Sequence, residues 1–336
     1  MMFGVEKGYR RLWTIERGRV MVVSDLHGNW DLYERYRARF VELLGEGEVD
    51  CLLFLGDLIH TREEEVVDES VAIVLDVLAL QERYGERVIY LCGNHELPHI
   101  YGFPLSKGGW EYTPSFERAL VASGRRAEVM GLFEGLPFYV RTSGGIVFMH
   151  AGAFPYGWGE ETAVNRLWNW DHEAIRQRVR ARLAGLDKEK LRQAVVKMYG
   201  AESYRQLVAD YLAVSGEESA RYDDFLVGAM VVNEAEFEHL WAALFTKCER
   251  QYGWRRYQAL VAEMLAGMGR GYRRQKVIVA GHITIKGGYK VVGEGHFRLA
   301  SGSHAEPLRE GAYLVVDVGD GVAEAGDLVG SVGSVW

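Results

Sequence analysis

Cysteine is scarce: Cys51, Cys92 and Cys248 are the only three in 336 residues. Three thiols cannot build a disulfide framework. Cys51 and Cys92 lie inside apolar runs and read as buried, reduced residues, so a reducing cytoplasm is the expected compartment. Long apolar runs are also missing. None approaches the roughly 20 residues that a membrane helix requires, so no membrane span is expected. The opening twenty residues hold no apolar stretch of the ~7–15 residues that a secretory signal carries. Basic residues are in the minority, 39 Lys and Arg against 47 Asp and Glu, for a net charge of -8. Broad binding along a nucleic-acid backbone needs a basic face and is not expected. What is present is ordinary globular composition, 48% hydrophobic and 26% charged, in a chain long enough to bury a substantial core.

Short apolar runs recur through the first half. Residues 19–23, 51–55 and 87–91 are unbroken runs of β-forming type, suited to strands covered on both faces. Between them, Asp31 to Leu44 and Glu64 to Tyr84 carry apolar positions three and four apart and read as helices. This β-α-β-α-β rhythm predicts an α/β sheet layer. Phe138 to Thr142 and Ile146 to Met149 flank Ser143-Gly144-Gly145 and read as a hairpin. Residues 171–275 differ: charged, without proline, helical in period, and read as a helical insertion. Strand patterns return at 277–280, 289–292, 297–300 and 313–318.

The chemistry lies just past the ends of the strands. The run at 19–23 leads into Ser24-Asp25-Leu26-His27-Gly28-Asn29, and the run at 51–55 into Gly56-Asp57. Gly93-Asn94-His95-Glu96 comes after the third. His150-Ala151-Gly152 comes after 146–149, and Gly281-His282 after 277–280. Five strands thus each end in a carboxylate, amide or imidazole beside glycine, and open α/β sheets place their sites at those ends. Any one motif is an ordinary strand-to-turn transition. Together, Asp25, His27, Asp57, Asn94, His150 and His282 supply the hard oxygens and borderline nitrogens of a binuclear site for Mn, Fe, Zn or Co. Two such ions about 3.5–4 Å apart clamp a phosphate and activate a bridging water, and Asp57 is placed to bridge them.

These blocks resemble those of the calcineurin-like metallophosphoesterases, most of all the phosphoprotein (serine/threonine) phosphatase branch. The blocks are SDLHGN at 24–29, GDLIHTR at 56–62, GNHE at 93–96, HAG at 150–152 and GHIT at 281–284, with Tyr101-Gly102-Phe103 and Leu167-Trp168 in support. The resemblance covers about residues 18–170 and 275–318. It implies a four-layer α-β-β-α sandwich over one domain, 1–336, interrupted by the 171–275 insertion. It also implies two divalent transition-metal ions, manganese foremost. Asp25, His27 and Asp57 would hold one. Asp57, Asn94, His150 and His282 would hold the other. His95 would be the general acid that protonates the leaving oxygen. Thr284 stands where many members of the superfamily carry a further histidine, one that the phosphoprotein phosphatase branch also lacks.

One block departs from the pattern. Where that branch has an Asp-Arg pair, this chain has His60 and Thr61, with Arg62 one step later. His60, Arg62, Arg166 and His304 are therefore the candidates for holding substrate, and Glu63 or Glu64 for supporting the general acid. His99, His172 and His239 read as surface or helix residues and His296 as structural. The basic residues between Asp171 and Gly200 read as a solvated helix face of mixed charge pairs. The expected activity is metal-dependent phosphomonoester hydrolysis by a metal-bridging hydroxide. The partner is a phosphorylated substrate, a phosphoprotein or a nucleotide. The same site on a dinucleoside polyphosphate or a nucleic-acid phosphoester is the alternative, and a non-catalytic metal-bound scaffold the remaining one.

Overall fold

The computed structural model describes residues 3–61, 67–155 and 163–336. Twelve strands form its two large sheets. In the first half they are β1 (Val5–Glu6), β2 (Leu12–Ile15), β3 (Arg19–Val23), β4 (Cys51–Phe54), β5 (Val88–Tyr90), β6 (Tyr139–Thr142) and β7 (Ile146–Met149). The second half adds β8 (Val277–Ala280), β9 (Tyr289–Val291), β10 (His296–Leu299), β11 (Ala312–Asp317) and β12 (Val332–Ser334). One sheet runs β1-β2-β6-β7-β8-β10-β9 and the other β12-β11-β3-β4-β5.

Both sheets are mixed, but the strands that lead to the polar motifs run parallel: β3 with β4, β4 with β5, and β7 and β10 with β8. Their carboxyl ends therefore point one way within each sheet. The sheets face each other across one core. Val20, Val22, Leu53, Leu55 and Ile89 meet Val140, Phe148, Val279, Phe297 and Leu299 there. Met21 and Val23 point from the opposite face of β3 and are also fully buried. That double burial is why the runs are apolar without alternation.

Helices cover the outer faces. Trp30–Gly45 starts on Asn29, whose side chain accepts from Leu32 N–H at 3.1 Å, and it buries Leu32, Tyr33, Tyr36, Phe40 and Leu43. Tyr33 stacks on Phe54 of β4, ring centroids 6.0 Å apart. On the other sheet, Tyr257 of helix Trp254–Met268 reaches His296 of β10, hydroxyl to Nδ1 at 2.7 Å. The result is the α-β-β-α sandwich.

The helix expected from Glu64 begins at Ser70 and runs to Tyr84. Residues 62–66 lie outside the described residues. Val67 is exposed, and the Asp68 side chain accepts the N–H of Ser70, which turns the chain into the helix.

The chain divides into two compact units. The sandwich comprises Met1–Asn94, Gly135–Trp170 and Trp241–Trp336; the second unit comprises His95–Glu134 and Asp171–Leu240. The second unit is largely helical and is tied internally by charge. Glu117, fully buried, accepts from Arg126 at 2.6 Å and pairs with His99 at 2.8 Å. Arg176 pairs with Glu173 and Glu134, Arg178 with Glu236, Arg180 with Asp224, and Arg182 with Glu234. Lys188 and Arg192 share Asp223. The basic residues of 171–200 are thus largely neutralised within their own unit, in line with a face of mixed charge pairs. His99, His172 and His239 lie on helices, but all three are buried rather than at the surface.

The sandwich carries one buried ion cluster away from the strand ends. Arg298 of β10 donates to Glu249 at 2.7 Å, and Lys290 donates to the other oxygen at 2.6 Å. Burial works against the Glu249 charge, but the two cations outweigh it and hold the carboxyl at about 2, below the ordinary 4.5. A depressed carboxylate contributes stability above its unfolded pKa and loses it as pH falls toward the folded value. The urea midpoint should therefore drop between pH 4.5 and 2. Glu249→Gln should flatten that part of the profile while lowering stability at neutral pH, because Arg298 is left buried without its counter-charge.

Candidate metal centre

The two loops that leave β3 and β4 lie side by side, and their backbones interlock. The N–H groups of Asp25, His27 and Gly28 donate to the carbonyls of Gly56, Asp57 and Leu58, at 3.3, 3.0 and 2.8 Å. To hold these contacts the chain takes a left-handed turn at side-chain-bearing residues. Asp25, His27, Asp57 and His282 have φ of 49°, 47°, 51° and 68°, and His60 has 71°. Only Ala213 joins them among the described non-glycine residues. Each such conformation costs on the order of 1–3 kcal/mol, and concentrating the cost at four candidate ligands is the mark of a functional site.

The donor atoms converge. His150 Nδ1 lies 2.9 Å from the Leu55 carbonyl and donates its proton there, so Nε2 carries the lone pair. That Nε2 lies 3.0 Å from Asn94 Oδ1, 3.1 Å from His282 Nδ1 and 3.4 Å from Asp57 Oδ2. Electron-rich atoms gathered this way repel each other unless a cation sits among them. Asp57 Oδ2 is also 3.9 Å from His27 Nε2. Asp25 receives the His282 N–H on both carboxylate oxygens, at 3.0 and 2.9 Å, and its Oδ1 is 3.2 Å from His304 Nδ1. Burial opposes the Asp25 charge, but the imidazoles of His304, His150 and His27 prevail and hold the carboxyl well below the usual range.

The donors form two groups within the sandwich, each with its atoms within 4.8 Å of one another: Asp25, His27 and His304, and Asp57, His150 and His282. All are buried except His282, which is partly so. The cradle has no spare room. A Cβ on Gly281 would stand 2.0 Å from Asp25 Oδ2, and one on Gly56 would stand 2.8 Å from His150 Nδ1. Carboxylate, amide and imidazole in this mixture fit divalent transition metals, not the all-oxygen shells of magnesium or calcium.

All six ligand candidates therefore lie at strand ends in one neighbourhood. The four substrate candidates fare differently. His304 stands against Asp25 and His27 instead of apart from them, and its ring meets that of His27 edge-on at 5.0 Å. His60 is buried, and its N–H donates to Ser70 Oγ at 2.7 Å. Arg166 is exposed on helix Ala163–Leu167. Arg62 lies outside the described residues, as do Glu63 and Glu64. His95 follows Asn94 directly and opens the second unit, buried, with its ring edge-on to Tyr112 at 5.1 Å. His296, read as structural, is buried beside Tyr257.

A sandwich with His and Asp metal-binding groups at its parallel strand ends defines a metallophosphoesterase, a hydrolase of phosphate esters. Residues 18–214 match the family of calcineurin-like phosphoesterases, and the chain belongs to it. A relative in Caenorhabditis elegans that bears a serine/threonine-protein phosphatase name is 26% identical over 127 residues, 35% of this chain. Those residues cover 32% of the relative, so the match spans about a third of its length. Among solved structures, a protein serine/threonine phosphatase of Saccharomyces cerevisiae is 15% identical, with 92% of this chain and 75% of that one covered and a TM-score of 0.46. A cold-active protein-tyrosine phosphatase of a psychrophilic Shewanella is also 15% identical, over 92% and 78% of the two chains, with a TM-score of 0.47. Among the described residues no helix is long and apolar enough to cross a membrane.

Proposed function

We propose that this chain hydrolyses phosphomonoesters, with phosphoserine and phosphothreonine side chains of proteins as the substrate class and manganese as the preferred metal. The observation that carries the reading is the position of Asp57. Its Oδ2 is 3.9 Å from His27 Nε2 on one side and 3.4 Å from His150 Nε2 on the other, so one carboxylate serves both donor groups.

Asp25, His27 and Asp57 would hold one ion, and Asp57, Asn94, His150 and His282 the other. When bound, the two ions neutralise phosphate charge and acidify water in the site. The Leu55 carbonyl fixes the His150 tautomer so that Nε2 faces inward. The His282 N–H on both oxygens of Asp25 holds that carboxylate in its orientation. His95, next to Asn94 in the chain, delivers a proton to the departing oxygen, the general-acid role an imidazole can fill. The serine/threonine phosphatase name of the C. elegans relative and the presence of Thr284 in place of a histidine support the protein-phosphatase reading.

A substrate panel tests it. Metal-stripped protein reloaded with Mn, Fe, Zn or Co would be given a phosphopeptide, diadenosine tetraphosphate and bis-p-nitrophenyl phosphate. The phosphopeptide should turn over fastest, and fastest with Mn. Preferential cleavage of the tetraphosphate or the diester would overturn the substrate assignment and leave the hydrolase standing.

A further inference from the structure

We infer that His304 is itself a metal ligand, completing with Asp25 and His27 the protein shell of the first ion. The inference rests on the binuclear reading above and gives that ion a donor which none of the five sequence blocks contains.

The placement of His304 follows from how two distant loops are joined. Ser24, at the end of β3, is tied by three hydrogen bonds to Leu299 and Ser301 at the end of β10. The Ser24 N–H donates to Ser301 Oγ at 3.0 Å, Ser24 Oγ donates to the Leu299 carbonyl at 3.0 Å, and the Ser301 N–H donates to Ser24 Oγ at 3.3 Å. Both serines are fully buried. Tyr36 adds a fourth link through its hydroxyl to the Ser301 carbonyl at 2.7 Å. The chain then passes so close to the ligand loop that a Cβ on Gly302 would stand 2.3 Å from the Asp25 carbonyl oxygen. Two residues later His304 is buried, 3% exposed, with Nδ1 3.2 Å from Asp25 Oδ1.

The chemistry matches the placement. The ligand atoms of Asp25, His27 and His304 all lie within 4.8 Å of one another. Atoms that share one ion at about 2.1 Å lie roughly 3–4 Å apart, so small side-chain adjustments bring all three onto it. A purely positioning histidine would need only to hydrogen-bond Asp25. His304 does more: its ring also packs edge-on to His27, 5.0 Å between centroids, so it stands beside both members of the Asp25–His27 pair. With His304, each of the two ions receives two imidazoles, His27 and His304 for the first and His150 and His282 for the second. Such nitrogen-rich shells favour Mn, Fe, Co or Zn over Mg.

The test is metal binding, read by dialysis with elemental analysis, by calorimetric titration with Mn, and by electron paramagnetic resonance of the coupled pair. His304→Ala should bind one of the two Mn ions more than about 100-fold more weakly and lose the coupled signal, with an unchanged circular dichroism spectrum. His304→Gln, whose amide can still hydrogen-bond Asp25, should fail to restore the ion, and added imidazole should restore it to the alanine variant. A loss confined to about 10–100-fold and recovered by glutamine is the behaviour of an outer partner and would overturn the inference while the hydrolase reading stands. Two ions retained by His304→Ala would overturn it in the same way. An unaltered chain that binds no transition metal would overturn both.

Discussion

Asp57→Asn should abolish nearly all turnover. With Mn-loaded protein and p-nitrophenyl phosphate, kcat/KM is expected to fall by at least about 10³-fold, or roughly 4 kcal/mol of transition-state stabilisation. The size of the effect follows from the proposed bridging role, for which Asp57 Oδ2 lies 3.9 Å from His27 Nε2 and 3.4 Å from His150 Nε2. An amide keeps the shape and removes the charge. Both donor groups lose anionic compensation at once, so bound Mn should fall together with the rate. Elemental analysis beside the kinetics distinguishes this from a mere loss of orientation. Full turnover in Asp57→Asn would remove the bridging role and the reading built on it.

His95→Ala should act on the chemistry and leave the metals in place. Loss of a general acid typically costs about 10²–10⁴-fold. Most hydrolysis of p-nitrophenyl phosphate should disappear, but p-nitrophenolate departs readily even without a proton. The loss should therefore deepen with phenyl phosphate and be greatest with phosphoserine, whose alkoxide is a far poorer leaving group. Two Mn ions should remain bound, because His95 is not among the proposed ligands. An equal loss across all three esters would count against proton delivery. A variant that also lost an ion would make His95 a metal-positioning residue instead.

The strand ends were legible because two independent patterns coincide there. Apolar runs of about five residues mark strands buried on both faces. An abrupt switch to Asp, Asn or His beside glycine is ordinary at any one strand end, but its recurrence at five of them is what marks a shared site. The same logic located Asp25, Asp57, Asn94, His150 and His282 without coordinates. A sixth strand end was available to it: β10 runs into Ser301-Gly302-Ser303-His304, the same combination of small, polar and imidazole residues. The sequence alone offered this stretch only as a place where substrate binds. Its partnership with Asp25 depends on hydrogen bonds between positions 277 residues apart.

The helical residues show the opposite case. Charge runs between 171 and 200 could have signified an anion-attracting face. Which carboxylates neutralise Arg178 and Arg182, Glu236 and Glu234, depends on how helices fold back on each other. His99 likewise sits on a helix of only five residues, too short for a periodicity to mark it as buried against Glu117.

By itself the sequence determined the chemistry of this protein: which side chains end the strands, that they are oxygen and nitrogen donors, and that a phosphoester hydrolase results from them. Those properties are local, set by residue type and by the short-range succession of buried and polar positions. Tertiary structure alone decided the distances at which the donors meet, with Asp57 Oδ2 3.9 Å from His27 and 3.4 Å from His150, and that His304 stands beside Asp25. Ligand atoms must meet within a few ångströms. For residues hundreds of positions apart, only parallel strands ending together and loops bonded side by side can set such distances.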